Sequence, residues 1–220
     1  MSYRNARVLV TGGLGFIGSA VARKLVQEGA QVTGVDSLNP DDGGNRHNIA
    51  DFERRVTVKI ADVRDRTAID PLIDGSDYLF NLAAQTSHMG SMQDPHTDLA
   101  INADAQLSIV ESCKRLSPRI RIVYASTRQL YGRSRYLPVD ESHPIRPTDV
   151  NGVSKLAGEQ FHLLYNDVYG IRSTVLRLTN TYGPGMRIKD ARQTFVGYWV
   201  RRLLENKTIP VYGDGLQMRD

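Results

Sequence analysis

A doubly wound α/β fold, with a parallel sheet between two layers of helices, is predicted by three features of this 220-residue chain. Short β-branched runs alternate with segments whose apolar residues recur at helical spacing. A glycine-rich turn joins the first of these strands to the first helix, and an acidic residue closes the second strand. Alternation of strand and helix favours parallel pairing, because each crossover returns the chain to the same end of the sheet.

The elements follow in order. The first strand is expected over Arg7–Val10, and the helix after the glycine turn carries Ile17, Val21 and Leu25 on one face. Strands are expected next over Gln31–Asp36, Val56–Asp62 and Tyr78–Ala84. A helix with Leu99, Ala103, Leu107 and Val110 in one stripe leads to a strand over Ile120–Thr127. A longer helix, with Val153, Ala157, Phe161, Leu164 and Val168 in its stripe, leads to the sixth strand, Ser173–Asn180. After Gly183-Pro184-Gly185 the pattern changes to one helix with Phe195, Trp199 and Leu203 on a face, then a short strand around Ile209–Tyr212. Residues 1–183 thus read as a dinucleotide-binding domain and 184–220 as a partial, truncated substrate-binding lobe.

Composition narrows the function. With 40% hydrophobic and 24% charged residues, the chain can bury a core without staples. Its one cysteine, Cys113, cannot form an internal disulfide and sits on an apolar helical face, so it reads as core rather than nucleophile. No apolar run approaches the roughly 20 residues that span a bilayer, and the polar segment before the first strand is no secretion signal, so a cytoplasmic setting is expected. The formal charge is +4, with arginines scattered at Arg119, Arg121, Arg133, Arg135, Arg201 and Arg202 and no interleaved aromatics. That distribution argues against nucleic acid and suits a small anionic ligand.

The run Thr11-Gly12-Gly13-Leu14-Gly15-Phe16-Ile17-Gly18 lies between strand and helix, where its glycines let the backbone approach a pyrophosphate at the helix N-terminus. Gly12, Gly15, Phe16, Ile17 and Gly18 are therefore candidate cofactor contacts. Asp36 stands 18 residues beyond Gly18, where a carboxylate can accept from both ribose hydroxyls and would repel a 2′-phosphate, which favours NAD over NADP. Asp62 and Val63, after the third strand, are neighbours for the adenine, although Asp62 also reads as an ordinary loop acid. Strand, glycines, helix and acid in this order define a Rossmann-type site beyond the carboxyl ends of the strands. No metal site is indicated.

Further motifs extend the pattern: Asn81 to Gln85 (NLAAQ), Asn102, Tyr124 to Gly132 (YASTRQLYG), Gly152-Val153-Ser154-Lys155, and Arg177 to Pro184 (RLTNTYGP). Tyr212-Gly213-Asp214-Gly215 and Arg219-Asp220 close it. With these the chain resembles, over nearly all its length, the extended short-chain dehydrogenases that act as NAD-dependent nucleotide-sugar epimerases and dehydratases. The resemblance implies cofactor contacts from Ala83, Ala84, Gln85, Asn102 and Lys155. It implies that Lys155 holds the nicotinamide ribose and that Thr127, between Ser126 and Arg128, meets the sugar hydroxyl that is oxidised, a strand-end cap being the plainer role. Asn180 and Arg219 match residues that bind the substrate diphosphate. Arg187 and Arg192 are either additional donors or solvated surface.

One departure from the family pattern concerns the acid/base. Its members carry a tyrosine four residues before the lysine, and here that position is Asn151. An amide can orient but not abstract a proton, so loss of the base is expected to cost about 10²- to 10⁴-fold unless another group serves. His88, after the fourth strand, is the first candidate. Tyr131, Glu141 and a water held by Asn151 are the others. The resemblance also implies transient oxidation at C4 of the sugar, and a homodimer through the helices that begin near Leu99 and Gly152, whose exposed faces should be unusually apolar. Two rival readings stand beside the enzyme: a catalytically weakened NAD-binding sensor or scaffold, and a net dehydrogenase.

Overall fold

The computed structural model describes residues 2–189, 195–211 and 213–216. Six parallel strands, β1 (Arg7–Thr11), β2 (Gln31–Asp36), β3 (Val56–Ile60), β4 (Tyr78–Asn81), β5 (Arg121–Thr127) and β6 (Ser173–Leu178), form one sheet in the order β3-β2-β1-β4-β5-β6. The chain thus builds outward from β1, then crosses back to start β4 on the other side. Between β1 and β4 the following loops diverge and leave a crevice.

Both faces of the sheet are covered, as a doubly wound fold requires. Leu9 of β1, Leu79 and Ile122 pack on one side with Ile69, Ile73, Ile109 and Cys113, while Val8 and Val10 pack on the other with Leu14, Leu25, Ile49 and Phe52. Successive β1 side chains therefore enter opposite cores, which is why the strand reads as a continuous apolar run.

The helices are α1 (Phe16–Gln27), α2 (Arg66–Ile73), α3 (His88–Gln93), α4 (Pro95–Leu99), α5 (Ala105–Leu116), α6 (Val150–Tyr169) and α7 (Phe195–Leu204). Asp65 caps α2 by accepting from Thr67 and Ala68 amides, and Gly170, at φ +68°, ends α6 in the left-handed conformation. A π-helical turn, Ala100–Asp104, joins α4 to α5 without a break, so helical backbone runs from Pro95 to Leu116 rather than starting at Leu99.

Two expectations change. Strands β3, β4 and β6 end two to three residues early. At β4 the cause is visible: the last ladder pair is Thr11 with Asn81, after which the Leu82 and Ala83 amides bond to Thr11 Oγ1 instead of to a strand. Residues 209–211 form no strand, having no strand partner among the described residues, and Tyr212 lies outside those residues. On α6 the expected apolar exposed face is present, although Phe161 of the same stripe packs on the core. Val153, Leu164 and Val168 are 55, 52 and 59% exposed, whereas Asn151, Ser154, Lys155, Glu159 and His162 are all buried. The exposed half is the oily one, as the resemblance implied for an interface helix. Leu99 is likewise 49% exposed.

Thr11 uses its whole hydroxyl at the crevice: it donates to Asn81 Oδ1 at 2.8 Å and accepts from Leu82 N at 2.9 Å and Ala83 N at 3.1 Å. Thr11→Val keeps the shape but strands these partners, at a cost on the order of 3 kcal/mol. Urea denaturation should show that loss, with Thr11→Ser close to wild type.

Candidate active site

The crevice is a cleft of about 330 Å³ that runs over the carboxyl ends of the strands. Gly12, Gly15, Phe16, Ile17 and Gly18 form one wall. Gly12 sits at φ +67°, and a Cβ on it would stand 3.1 Å from the backbone of Ala83 on the opposite wall; a Cβ on Gly18 would lie 2.0 Å from Gly12 O. Only glycine permits this close turn. No side chain caps the first turn of α1, so its amides are left for an anion in the cleft.

Asp36 is oriented by backbone: Oδ2 accepts from Leu14 N at 3.1 Å and Oδ1 from Leu38 N at 2.9 Å. Each carboxylate oxygen keeps a lone pair for a ribose hydroxyl. Asp42 lines the cleft beside it, its pKa raised by burial and further by the charge of Asp36. Asp62 and Val63 complete this end. Asp62 is also engaged locally, accepting from Arg64 Nε at 3.0 Å and Nη2 at 2.7 Å, which lowers its pKa. The glycine cradle and the acid pair fit an unphosphorylated adenosine ribose.

At the other end Ala83, Ala84, Gln85, His88, Thr127, Asn151, Lys155 and Asn180 share the lining. Lys155 is buried; its Nζ donates to Ala125 O at 2.7 Å and stands 4.9 Å over the Tyr124 ring. Burial lowers its pKa to about 8, against the opposing pull of Asp98. Thr127 Oγ1 accepts from Gln129 N at 3.2 Å, and Asn180 Oδ1 accepts from Arg128 Nη2 at 3.2 Å. Thr127 therefore caps the following turn and faces the cleft as well.

Asn151 is not a free polar group awaiting a water. Its Nδ2 points at Gln85 O (2.8 Å), Asp98 Oδ2 (2.9 Å) and Gln85 Oε1 (3.3 Å). Asn102, expected at the cofactor, is fully buried off the cleft. From the π-turn its Nδ2 reaches the same two acceptors, Gln85 O at 2.9 Å and Asp98 Oδ2 at 3.0 Å. The two asparagines together clamp the loop that carries Gln85. Asp98, which the sequence reading passed over, is the shared anchor; its spacing four residues before Asn102 is the available signal.

Of the alternative bases, neither Tyr131 nor Glu141 lines the cleft. Tyr131 accepts from Arg177 Nη1 at 2.8 Å and packs edge-on to His143, and Glu141 is on the exposed surface. His88 does line it, flanked by Asp149 and Gln129, two further residues missed by sequence reasoning. Arg187 lines the cleft and donates to Pro40 O at 3.2 Å and Asp42 O at 2.6 Å. Arg192 and Arg219 lie outside the described residues. Cys113 is in the core, its thiol pushed up to about 12 by burial.

The model of the NAD dependent epimerase/dehydratase family matches residues 8–220. A putative UDP-glucose 4-epimerase of Methanocaldococcus jannaschii is 36% identical over 216 residues, covering 97% of this chain and 68% of the relative. Among solved structures, a UDP-N-acetylglucosamine 4-epimerase from Methanobrevibacter ruminantium M1 in complex with UDP-N-acetylmuramic acid superposes with a TM-score of 0.91 at 28% identity, over 99% of this chain and 68% of that one. A dTDP-glucose 4,6-dehydratase from Bacillus anthracis in complex with NAD gives 0.84 at 26%, over 98% and 66%.

The paired acids at the ribose end predict that calorimetry finds NAD bound more tightly than NADP. Asp36→Ala should abolish that preference; tighter NADP binding by the wild type would overturn the assignment of Asp36.

Proposed function

The chain belongs to the NAD-dependent epimerase/dehydratase family, and on that footing we propose that it inverts C4 of a nucleotide-linked sugar in the cytoplasm, using tightly held NAD. One observation carries the reading: the glycine cradle and Asp36 share a single cleft with Lys155, Thr127 and Asn180. Bound there, the dinucleotide supplies a hydride acceptor that returns the hydride within the same cycle. Gly12, Gly15 and Gly18 would hold its pyrophosphate, Asp36 its adenosine ribose and Lys155 its nicotinamide ribose.

The remaining steps belong to the protein. Thr127 is suited to hold the reacting hydroxyl, and Asn180, steadied by Arg128, to meet the diphosphate, with Arg219 as its basic partner. Residues 1–183 would bind the dinucleotide and 184–220 contribute to the sugar side, which the reach of Arg187 to the loop after β2 supports. Asn151 replaces the tyrosine that serves as acid/base in this family, and His88 takes over the proton. Epimerisation is favoured over dehydration because eliminating water needs an acid to protonate the departing hydroxyl. Among the described lining residues the carboxyl groups, Asp36, Asp42 and Asp62, all stand at the adenosine end. A non-catalytic NAD-binding scaffold is not favoured, since the relatives and structural neighbours are enzymes.

The outward oily face of α6, with Leu99 beside it, supports a homodimer in which this helix meets its symmetry mate. Light scattering of the full-length protein should give twice the chain mass; a monomer at all concentrations would reject the pairing.

Incubation of a UDP- and dTDP-sugar panel with the NAD-loaded protein in deuterated water, read by mass spectrometry and chromatography, tests the reaction. Epimerisation changes retention without changing mass, whereas dehydration removes water and takes up solvent deuterium. The expected outcome is the first. Asn151→Tyr should lower the rate, because the ring would displace the donor that Asp98 and Gln85 share; a gain of activity would favour the scaffold reading.

A further inference from the structure

His88 stands at the start of α3 with its imidazole half exposed to the cleft, held between two side chains of opposite character. On one side Nδ1 meets Asp149 Oδ2 in a close contact; on the other, Nε2 lies 2.6 Å from Gln129 Nε2. A carboxylate oxygen can only accept, so Nδ1 must carry the hydrogen. An amide nitrogen can only donate, so Nε2 must be bare. The carboxylate thus imposes the tautomer, with the basic nitrogen on the side away from it, and the Gln129 amide nitrogen is the complementary neighbour for a bare Nε2. Other charged groups on the surrounding elements, His96 and Asp98 of α4, Lys155 of α6 and Arg128 after β5, make no hydrogen bond to the ring among the described contacts.

Asp149 is itself fixed. It is the N-cap of α6, and its Oδ1 accepts from Gly152 N at 2.7 Å, so one oxygen ties the carboxylate to the helix while the other faces His88. Gln129 is placed by its own amide nitrogen on Thr127 Oγ1, two residues past the group assigned to the sugar hydroxyl. Its Oε1 is buried and has no partner among the described residues.

We infer that Asp149 is the positioning residue that holds His88 in its proton-accepting tautomer. This rests on the reading of His88 as the group that replaces the missing tyrosine. In the step served, the Gln129 amide gives up Nε2 to the sugar hydroxyl, whose O–H bond breaks as an Nε2–H bond forms. The electron pair left on oxygen becomes the carbonyl bond as the carbon's hydride passes to the dinucleotide of the family reaction. The resulting imidazolium is balanced by Asp149 and returns the proton when the hydride comes back.

The test uses the NAD-loaded full chain labelled with ¹⁵N-histidine, in which imidazole NMR reports each tautomer and His88→Gln assigns the His88 signals. Wild type should show hydrogen on Nδ1 and a bare Nε2. Asp149→Asn retains the helix cap through its amide oxygen but presents NH₂ to Nδ1, so the hydrogen should move to Nε2. With UDP-glucose or whichever sugar the panel identifies, kcat should fall at least about 10-fold at unchanged KM and melting temperature. Asp149→Ser, which also caps, should lose the fixed tautomer and guards against misfolding of the first variant. An unaltered tautomer in both variants, or a reversed tautomer with full kcat, would overturn the role of Asp149. Full kcat in His88→Gln would instead overturn His88 as the proton acceptor, whatever the tautomer shows.

Discussion

Everything in the cleft is referred to one hydroxyl. Thr11 closes β1, and its side chain fastens Asn81 and the two amides that follow it at the point where β1 and β4 part. The glycine turn leaves from Thr11, and the loop carrying Ala83 and Gln85 leaves from Asn81, so both walls are measured from the same bond. Asn81 then extends the reference inward: its amide donates to Gln106 Oε1 at 2.6 Å and lies 3.3 Å from His162 Nε2. His162 stacks on Tyr124, 4.4 Å between ring centres, and Tyr124 lies under Lys155. A chain of contacts therefore joins the pyrophosphate turn to the ammonium at the far end of the cleft.

Charge is divided along that cleft. Acids gather where the adenosine ribose is expected, and amides, hydroxyls and an imidazole gather where the sugar is expected. Further back, buried Glu159 pairs with the partly buried Arg177 and accepts from Ser126 Oγ at 2.6 Å, next to Thr127. Such a pair stabilises little in itself, since desolvation offsets attraction, but its hydrogen bonds define where the end of β5 lies.

Much of this was legible in the sequence because periodicity and glycine spacing report on local backbone. The six strands, the glycine turn, Asp36 and most of the cleft lining follow from residues close together in the chain. What escaped depended on distant partners. The ends of β4 are set by a hydroxyl 71 residues away. The hydrogen bonds of the Asn102 amide to Asp98 and Gln85 join it to a loop 17 residues earlier. Asp149 could be read as a helix cap, but its second oxygen meets a histidine 61 residues earlier. The stripe on α6 was legible too, but that Phe161 packs on the core while Val153, Leu164 and Val168 stay exposed was not, because a period of 3.6 shows that a helix has an oily face without saying which neighbour that face meets.

That helix separates two kinds of adhesion. Oily contacts are strong but slippery: surfaces can slide or rotate with little change in buried area. Hydrogen bonds are weaker in net terms but directional, and they fail when an atom moves by a fraction of an ångström. On α6 the slippery surface faces outward, and the directional one, from Asn151 through Lys155 and Glu159 to His162, faces inward, with Asn151 and Lys155 at the cleft. The helix is therefore registered like a key on a ratchet, tooth by tooth, and Lys155 inherits its alignment from bonds rather than from bulk. Tolerance to mutation should be distributed accordingly along its length, loose in character but not in polarity on the outside, and strict in atom type on the inside.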